Sequence, residues 1–255
     1  MRTGHESYEN KEREHFDRLA ATIGETWWGN RTPAAVSRMR RRARLAAQTL
    51  VVFQDPLVLE LGCGAGTFSQ YVLEQQPSLR LIGCDISHKA IHIAARRCAA
   101  YERARFETAD VTSLSHASNT FDAIIGCSIL HHLRLEVTLP ECIRVLKPGG
   151  IIWFSEPNML NPQTAAERNI RWIGRMLQNT EEETAFFRWS LAKTLEKVGF
   201  WDVSVQPYDF LHPLVPRPLI GAADRMGRWI ERIPLLREIS GCLAISGCRP
   251  NVADM

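Results

Sequence analysis

Three acids, a glycine triplet and a pair of adjacent histidines are the residues of this sequence whose types and spacing suit chemistry. Glu60 stands in "LELGCGAGTF", just ahead of Gly62, Gly64 and Gly66. Asp85 ends the run "LRLIGCD", nineteen positions after Gly66, and Asp110 ends "ARFETAD". A dinucleotide-binding turn spaces its glycines G-x-G-x-x-G and seats pyrophosphate on a helix N-terminus. Here the spacing is G-x-G-x-G, and an acid at Glu60 would add negative charge beside any phosphate. The motif suits a ligand that is cationic and carries no phosphate, with glycines that let the backbone approach closely.

S-adenosylmethionine, with its sulfonium and ammonium groups, is such a ligand. Asp85 can accept hydrogen bonds from both ribose hydroxyls, and Asp110 can accept from the adenine amine while Val111 packs on the base. A glycine triplet alone also serves tight strand-to-helix packing; the ordered acids are what single out the nucleoside. Further along, "SILHHL" carries His131 and His132, and Glu156 follows in "WFSEP". A histidine held by an acid can take a proton from a hydroxyl nucleophile. In the plainer reading, one histidine packs or caps a helix and Glu156 fixes a loop.

These residues need elements to position them. "TP" at Thr32 and Pro33 supplies a cap and a first-turn proline for a helix reaching Leu50. Val36, Met39, Ala43, Ala46 and Leu50 fall on its inner face, and Arg38, Arg40, Arg41, Arg42 and Arg44 are expected on a solvated face. From Leu57, short apolar runs alternate with helical stretches: "LVLEL", "LRLIGCD", "ARFETAD", "FDAIIGC" and "GGIIWFSEP" read as strands 1 to 5. Such alternation predicts a parallel sheet with right-handed crossovers. Ligands bind beyond the carboxyl ends of such strands, where the acids and histidines lie.

Composition bounds the alternatives. With 255 residues, 45% of them hydrophobic, the chain can bury one large α/β core. No window has the roughly 18 apolar residues of a membrane span, and the charged start "MRTGHESYENKEREHFDRLA" lacks the apolar centre of a secretory leader. The expectation is cytoplasmic. Seven cysteines without a C-x-x-C pair read as reduced core thiols, and no ligand-like cluster calls for a metal. A net charge of +3 does not demand a nucleic-acid partner.

The stretches "VLELGCGAGTFS", "GCDIS", "TADVTSL", "FDAIIGCSILHHL" and "RVLKPGGIIWFSEPN", from Val58 to Asn158, resemble the class I S-adenosylmethionine-dependent methyltransferases, particularly the ubiquinone/menaquinone and natural-product branch. The resemblance implies a Rossmann-like α/β fold: a seven-stranded, mostly parallel sheet in the order 3-2-1-4-5-7-6, with helices on both faces and the last strand antiparallel. Strand 6 falls near "WDVSVQPY", strand 7 near "GCLAISGC", and "SLAKTLEKVGF" becomes the helix before strand 6, ended by Gly199.

The resemblance also implies a cofactor set of Tyr8, Glu60, Gly62, Cys63, Gly64, Gly66, Asp85, Ile86, Asp110, Val111 and Cys127, with His131, His132 and Glu156 as the catalytic candidates. Residues 1–50 are expected as an N-terminal helical lid, with Tyr8, Phe16, Trp27 and Trp28 over the cofactor or simply anchoring the first helices. Residues 51–255 form the catalytic domain, with substrate-lid insertions at 158–187 and 211–240. Their apolar content points to a hydrophobic or aromatic small molecule, methylated at oxygen, and Arg171, Arg217 and Arg237 are candidates for an acidic group on it. The rival readings are C- or N-methylation of a quinone- or lipid-like acceptor, and a methyltransferase-like binding module or catalyst of another reaction. A homo-oligomer and peripheral membrane contact by "PLIGAADRMGRWIERIPLL" are open, and stable insertion is not expected.

Overall fold

The computed structural model describes residue 17 and residues 32–169 and 185–251. Helix α1 (Pro33–Leu50) starts where the sequence places it: Thr32 is extended, its side chain accepts from the Ala35 N–H at 3.1 Å, and Pro33 fills the first turn. There follow β1 (Leu57–Leu61), α2 (Thr67–Gln75), β2 (Arg80–Asp85), α3 (His88–Arg97), β3 (Ala104–Thr108) and β4 (Phe121–Cys127). A 3₁₀ turn (Leu130–His132) leads to α4 (Leu135–Val145), β5 (Leu146–Pro157) and α5 (Pro162–Asn169). The chain closes with α6 (Arg188–Val198), β6 (Trp201–Tyr208), α7 (Ile220–Ile230), the short α8 (Pro234–Arg237) and β7 (Cys242–Cys248).

The seven strands form one sheet in the order β3-β2-β1-β4-β5-β7-β6, as expected. The pairs among β3, β2, β1, β4 and β5 are parallel, and β7 runs antiparallel to both β5 and β6. Period-two alternation splits the strand side chains between two cores. Leu59, Leu61 and Ile124 face Leu139, Leu191 and Leu195 on one side. Val58, Ala123 and Ile125 face Met39, Ala43, Ala46 and Leu50 of α1 with Phe68 and Val72 of α2 on the other. Truncating a fully buried leucine such as Leu50 would cost about 2–5 kcal/mol. Gly199, at φ +115°, ends α6, its N–H donating to the Leu195 and Glu196 carbonyls.

The arginine face of α1 differs from the expectation. Arg38 Nε donates to Asp209 Oδ2 at 2.7 Å, Arg41 makes a two-pronged pair with Glu231 at 2.7 and 2.6 Å, and Arg42 lies inside. Only 12–16% of each of these three side chains is exposed. The segment between β6 and β7 covers them, and its acids satisfy charges that a lone helix would leave to water. Arg40, which pairs with Glu74, remains on the solvated side. All seven cysteines are free thiols, five of them buried. No described helix is long and apolar enough to cross a membrane.

Candidate functional site

The carboxyl ends of β1, β2, β3 and β4 open onto a cavity of about 180 Å³. The sharp strand-to-helix turn after β1 forms its floor, with Gly62, Gly64 and Gly66 at φ +62°, +50° and +74°. These glycines have different tasks. A Cβ on Gly64 would meet nothing within 4 Å, and Gly64 lines the cavity, so the absent side chain leaves room for a ligand. A Cβ on Gly66 would stand 2.8 Å from the Ala94 backbone of α3, and Gly66 is not on the cavity wall. It serves close packing of helix on turn.

Asp85 lies at the end of β2 on that wall. Its Oδ2 accepts the Gly64 N–H at 2.9 Å and its Oδ1 the Ser87 N–H at 2.8 Å, which fixes the carboxylate. Burial outweighs these bonds and raises its pKa. Beyond β3, Asp110 takes the Thr112 N–H and hydroxyl on Oδ1, both at 2.8 Å, and lines the cavity beside Val111. Ile86, Cys63 and Cys127 complete the sequence-derived residues on this wall. Burial pushes the Cys63 and Cys127 thiols up, so both are neutral near pH 7.

Glu60 sits below the floor and not among the lining residues: it is 1% exposed, and burial pushes its pKa up to about 8. Tyr8, Phe16, Trp27, Trp28 and Arg171 fall outside the described residues. Arg217 is exposed, and Arg237 lies beside Glu238 at 3.5 Å.

On the β4 side the two histidines separate. Glu156, 1% exposed, accepts the Ile129 and Leu130 N–H groups on Oε1, each at 2.9 Å, and stands 2.7 Å from His131 Nδ1 through Oε2. One carboxylate thus caps the 3₁₀ turn and orients an imidazole. His132 lines the cavity, whereas His131 and Glu156 do not; the two rings lie 4.1 Å apart.

Arg42 was missed in the sequence, since five arginines within seven positions look alike. It lines the cavity, its guanidinium lying between Cys242 Sγ (3.0 Å) and Cys127 Sγ (3.7 Å) with Asp209 Oδ2 at 3.7 Å, and its buried Nε has no hydrogen-bond partner among the described residues. A clue was available in the heptad-like inner face: Met39 and Ala43 flank Arg42, so it could not be far from the buried stripe.

Two aspartates at the ends of β2 and β3, a glycine floor and the strand order 3-2-1-4-5-7-6 are the features to set beside known proteins. Residues 58–150 match the family described as a methyltransferase domain. The chain is 35% identical over 128 residues to a tRNA (carboxymethyluridine(34)-5-O)-methyltransferase of Arabidopsis thaliana, an alignment covering 47% of this chain and 30% of that one. It is 29% identical over 125 residues to the ubiquinone biosynthesis O-methyltransferase of Rhizobium etli, covering 46% and 50%. With the erythromycin 3''-O-methyltransferase of Saccharopolyspora erythraea it shares 26% identity over 177 residues, covering 64% and 56%. The chain therefore spans about half or less of the length of these relatives.

The N-methyltransferase NodS of Bradyrhizobium japonicum, solved with S-adenosylhomocysteine, superposes with a TM-score of 0.62 at 18% identity, over 94% of this chain and 98% of that one; the likeness is one of fold. Residues 58–150 thus match a methyltransferase domain, and the chain around them is similar in sequence to S-adenosylmethionine-dependent O-methyltransferases and in fold to an N-methyltransferase. The residues present fit S-adenosylmethionine: Gly64 leaves open the space a Cβ would fill, and Arg42, a cation lining the same cavity, has a buried Nε without a hydrogen-bond partner among the described residues.

Proposed function

We propose that the protein transfers a methyl group from S-adenosylmethionine to a hydroxyl of a small apolar or aromatic metabolite. When bound, the cofactor supplies an electrophilic methyl on a sulfonium, which the acceptor oxygen displaces in line. Asp85 would hold the ribose hydroxyls, Asp110 and Val111 the adenine, and Arg42 the methionine carboxylate through charge-assisted hydrogen bonds. Cys63, Ile86 and Cys127 would pack along the cofactor, Gly62 would shape its floor, and Gly66 would seat that turn against α3. Glu60 would compensate the cofactor's positive charge from below.

The observation that carries the reading is the position of His132 on the cavity wall, beside a histidine already fixed by Glu156. In this role His132 accepts the proton of the acceptor hydroxyl as the oxygen gains its methyl. His131 and Glu156 are positioning residues that hold the turn bearing His132. Most of the acceleration comes from confining both reactants in a site closed to water. A small acceptor is favoured over RNA because three of the five arginines of α1 are spent on internal contacts, which leaves no basic stripe there for a phosphate backbone.

The test is incubation with methyl-labelled S-adenosylmethionine and a metabolite extract, followed by identification of the product. One added methyl on oxygen is expected. Cofactor binding with no methylated product from any extract would overturn transfer activity and favour a binding module. A product methylated on nitrogen or carbon would overturn the assignment of His132 as base.

A further inference from the structure

The link between β6 and β7 carries an outward surface that methyl transfer does not use. Seven of the twelve exposed large apolar side chains of the described residues lie in it, from Leu214 to Ile239. That concentration exceeds the scatter of single apolar residues usual on protein surfaces.

The pattern within α7 shows how the surface is made. Leu219, Ala222, Met226 and Trp229 are spaced by three and four and form one exposed stripe, Met226 and Trp229 each being 62% exposed. Gly227 points the other way, where a Cβ would come within 3.1 Å of Phe210 Cβ, so the helix sits close on the body through its glycine. Beside the apolar stripe, at the same helical spacing, stand the exposed Arg225, Arg228 and Arg232. Just beyond α7, Leu235 is 85% exposed.

Of the segment's acids, only Asp224 meets this face, where it pairs with one of the three arginines. Glu231 is taken by Arg41 and Glu238 by Arg188 at 2.9 Å, and Asp224 is paired with Arg228 at 2.5 Å. The pairs of Glu231 with Arg41 and of Glu238 with Arg188 clamp the link to the body. The outer side is apolar along one line and cationic along the next, where Arg225 and Arg232 stand beside the Asp224–Arg228 pair. A bilayer of anionic lipid complements this pattern in both charge and polarity, its acyl region taking Met226 and Trp229 and its headgroups meeting the arginines.

We propose that α7 and α8 form a docking face for an anionic phospholipid surface. The link leaves the end of β6 and returns at Cys242, whose sulfur touches Arg42 on the cavity wall. Docking thus brings the cavity edge of the sheet toward the lipid, a geometry suited to an apolar acceptor drawn from the bilayer. The docking itself stands whether or not the protein transfers a methyl group.

Vesicle flotation of the whole chain tests this without any activity measurement. Vesicles of phosphatidylcholine with phosphatidylglycerol should carry the protein, vesicles of phosphatidylcholine alone should not, and added salt should release it. Arg225→Gln combined with Arg232→Gln should lower partitioning by about fivefold per arginine. Met226→Ser combined with Trp229→Ser should abolish it, with thermal midpoint and cofactor affinity unchanged in both variants because these side chains are exposed.

Absence of flotation would overturn the proposal, as would binding to both vesicle types that neither double variant reduces. A concentration-dependent dimer dissolved by Met226→Ser with Trp229→Ser, in a protein that does not float, would overturn it in favour of a second copy on this face.

Discussion

At the β2–β3 side of the cavity, the two candidate aspartates are held from nearby in the chain: Asp85 by the N–H groups of Ser87 and of Gly64, 21 positions before it, and Asp110 by Thr112 two residues on. At the β4 side, the groups are held from far away in the chain. Arg42 rests on Cys242 and Asp209, and the turn bearing His132 hangs on Glu156, which lies on the neighbouring strand. The first region needs only β1 and β2 side by side and the short turns that follow the strands. The second exists only once α1, β4, β5 and β7 have met. Binding of the nucleoside should therefore withstand damage to the second region, whereas the chemistry should not.

The largest expected effect sharpens that division. His132→Ala should lower turnover about 10²–10⁴-fold and leave cofactor affinity nearly unchanged. Glu156→Gln should lower turnover less, through the geometry of the turn, because the amide still offers an acceptor to Ile129 and Leu130. Turnover and cofactor binding measured separately for each variant decide it. Wild-type turnover in His132→Ala would remove the β4 side from the chemistry.

Next in size, Asp85→Ala should weaken cofactor binding by about 1.5–3 kcal/mol, or roughly 10–150-fold in Kd by calorimetry. Part of that loss is the Gly64 and Ser87 N–H groups left without their acceptor. If Asp85→Ala bound the cofactor normally, the nucleoside would have to lie elsewhere.

The glycine pair offers a finer contrast within one turn. Gly64→Ala should reduce affinity about tenfold while costing about 1 kcal/mol of stability for its left-handed backbone. Gly66→Ala should instead lower the thermal midpoint, at about 1–3 kcal/mol for the clash with α3 added to the same backbone strain. Denaturation and calorimetry on the two variants would show equal profiles if both glycines served the ligand.

The smallest effect concerns Glu60. With burial holding its pKa at about 8, it is mostly protonated at pH 7 in the ligand-free protein. A cationic ligand above it favours the charged form, so binding should release protons near pH 7, and affinity should rise with pH up to about 8. Stability of the ligand-free protein should run the other way. Between the unfolded value of about 4.3 and the folded value, the native state holds the extra proton, so raising the pH destabilises it. Glu60→Gln should remove both slopes; calorimetry in buffers of different ionisation heat reads the first, and thermal melts against pH read the second.

The strands, the Thr32 cap, the Gly199 stop and the strand-end aspartates are legible along the chain because each depends on a few consecutive residues. Alternation dictates which side chains leave a strand on the same face, and a cap bonds only to its own first turn. The sheet order came from the likeness of motifs and not from spacing, since periodicity does not say which strands lie side by side.

Sequence alone could not separate His131 from His132 or Arg42 from its four neighbours. Neighbouring residues differ only in the direction they point, and that direction acquires meaning when a distant group arrives. Asp209 lies 171 positions from Arg38, and Cys242 lies 200 positions from Arg42. The sequence by itself determined where Asp85 and Asp110 stand, each at or just past the end of its strand and beside the glycine turn. Only the tertiary structure decided which cation and which imidazole face the cavity, because burial and charge compensation belong to the surroundings that folding assembles and not to the residue.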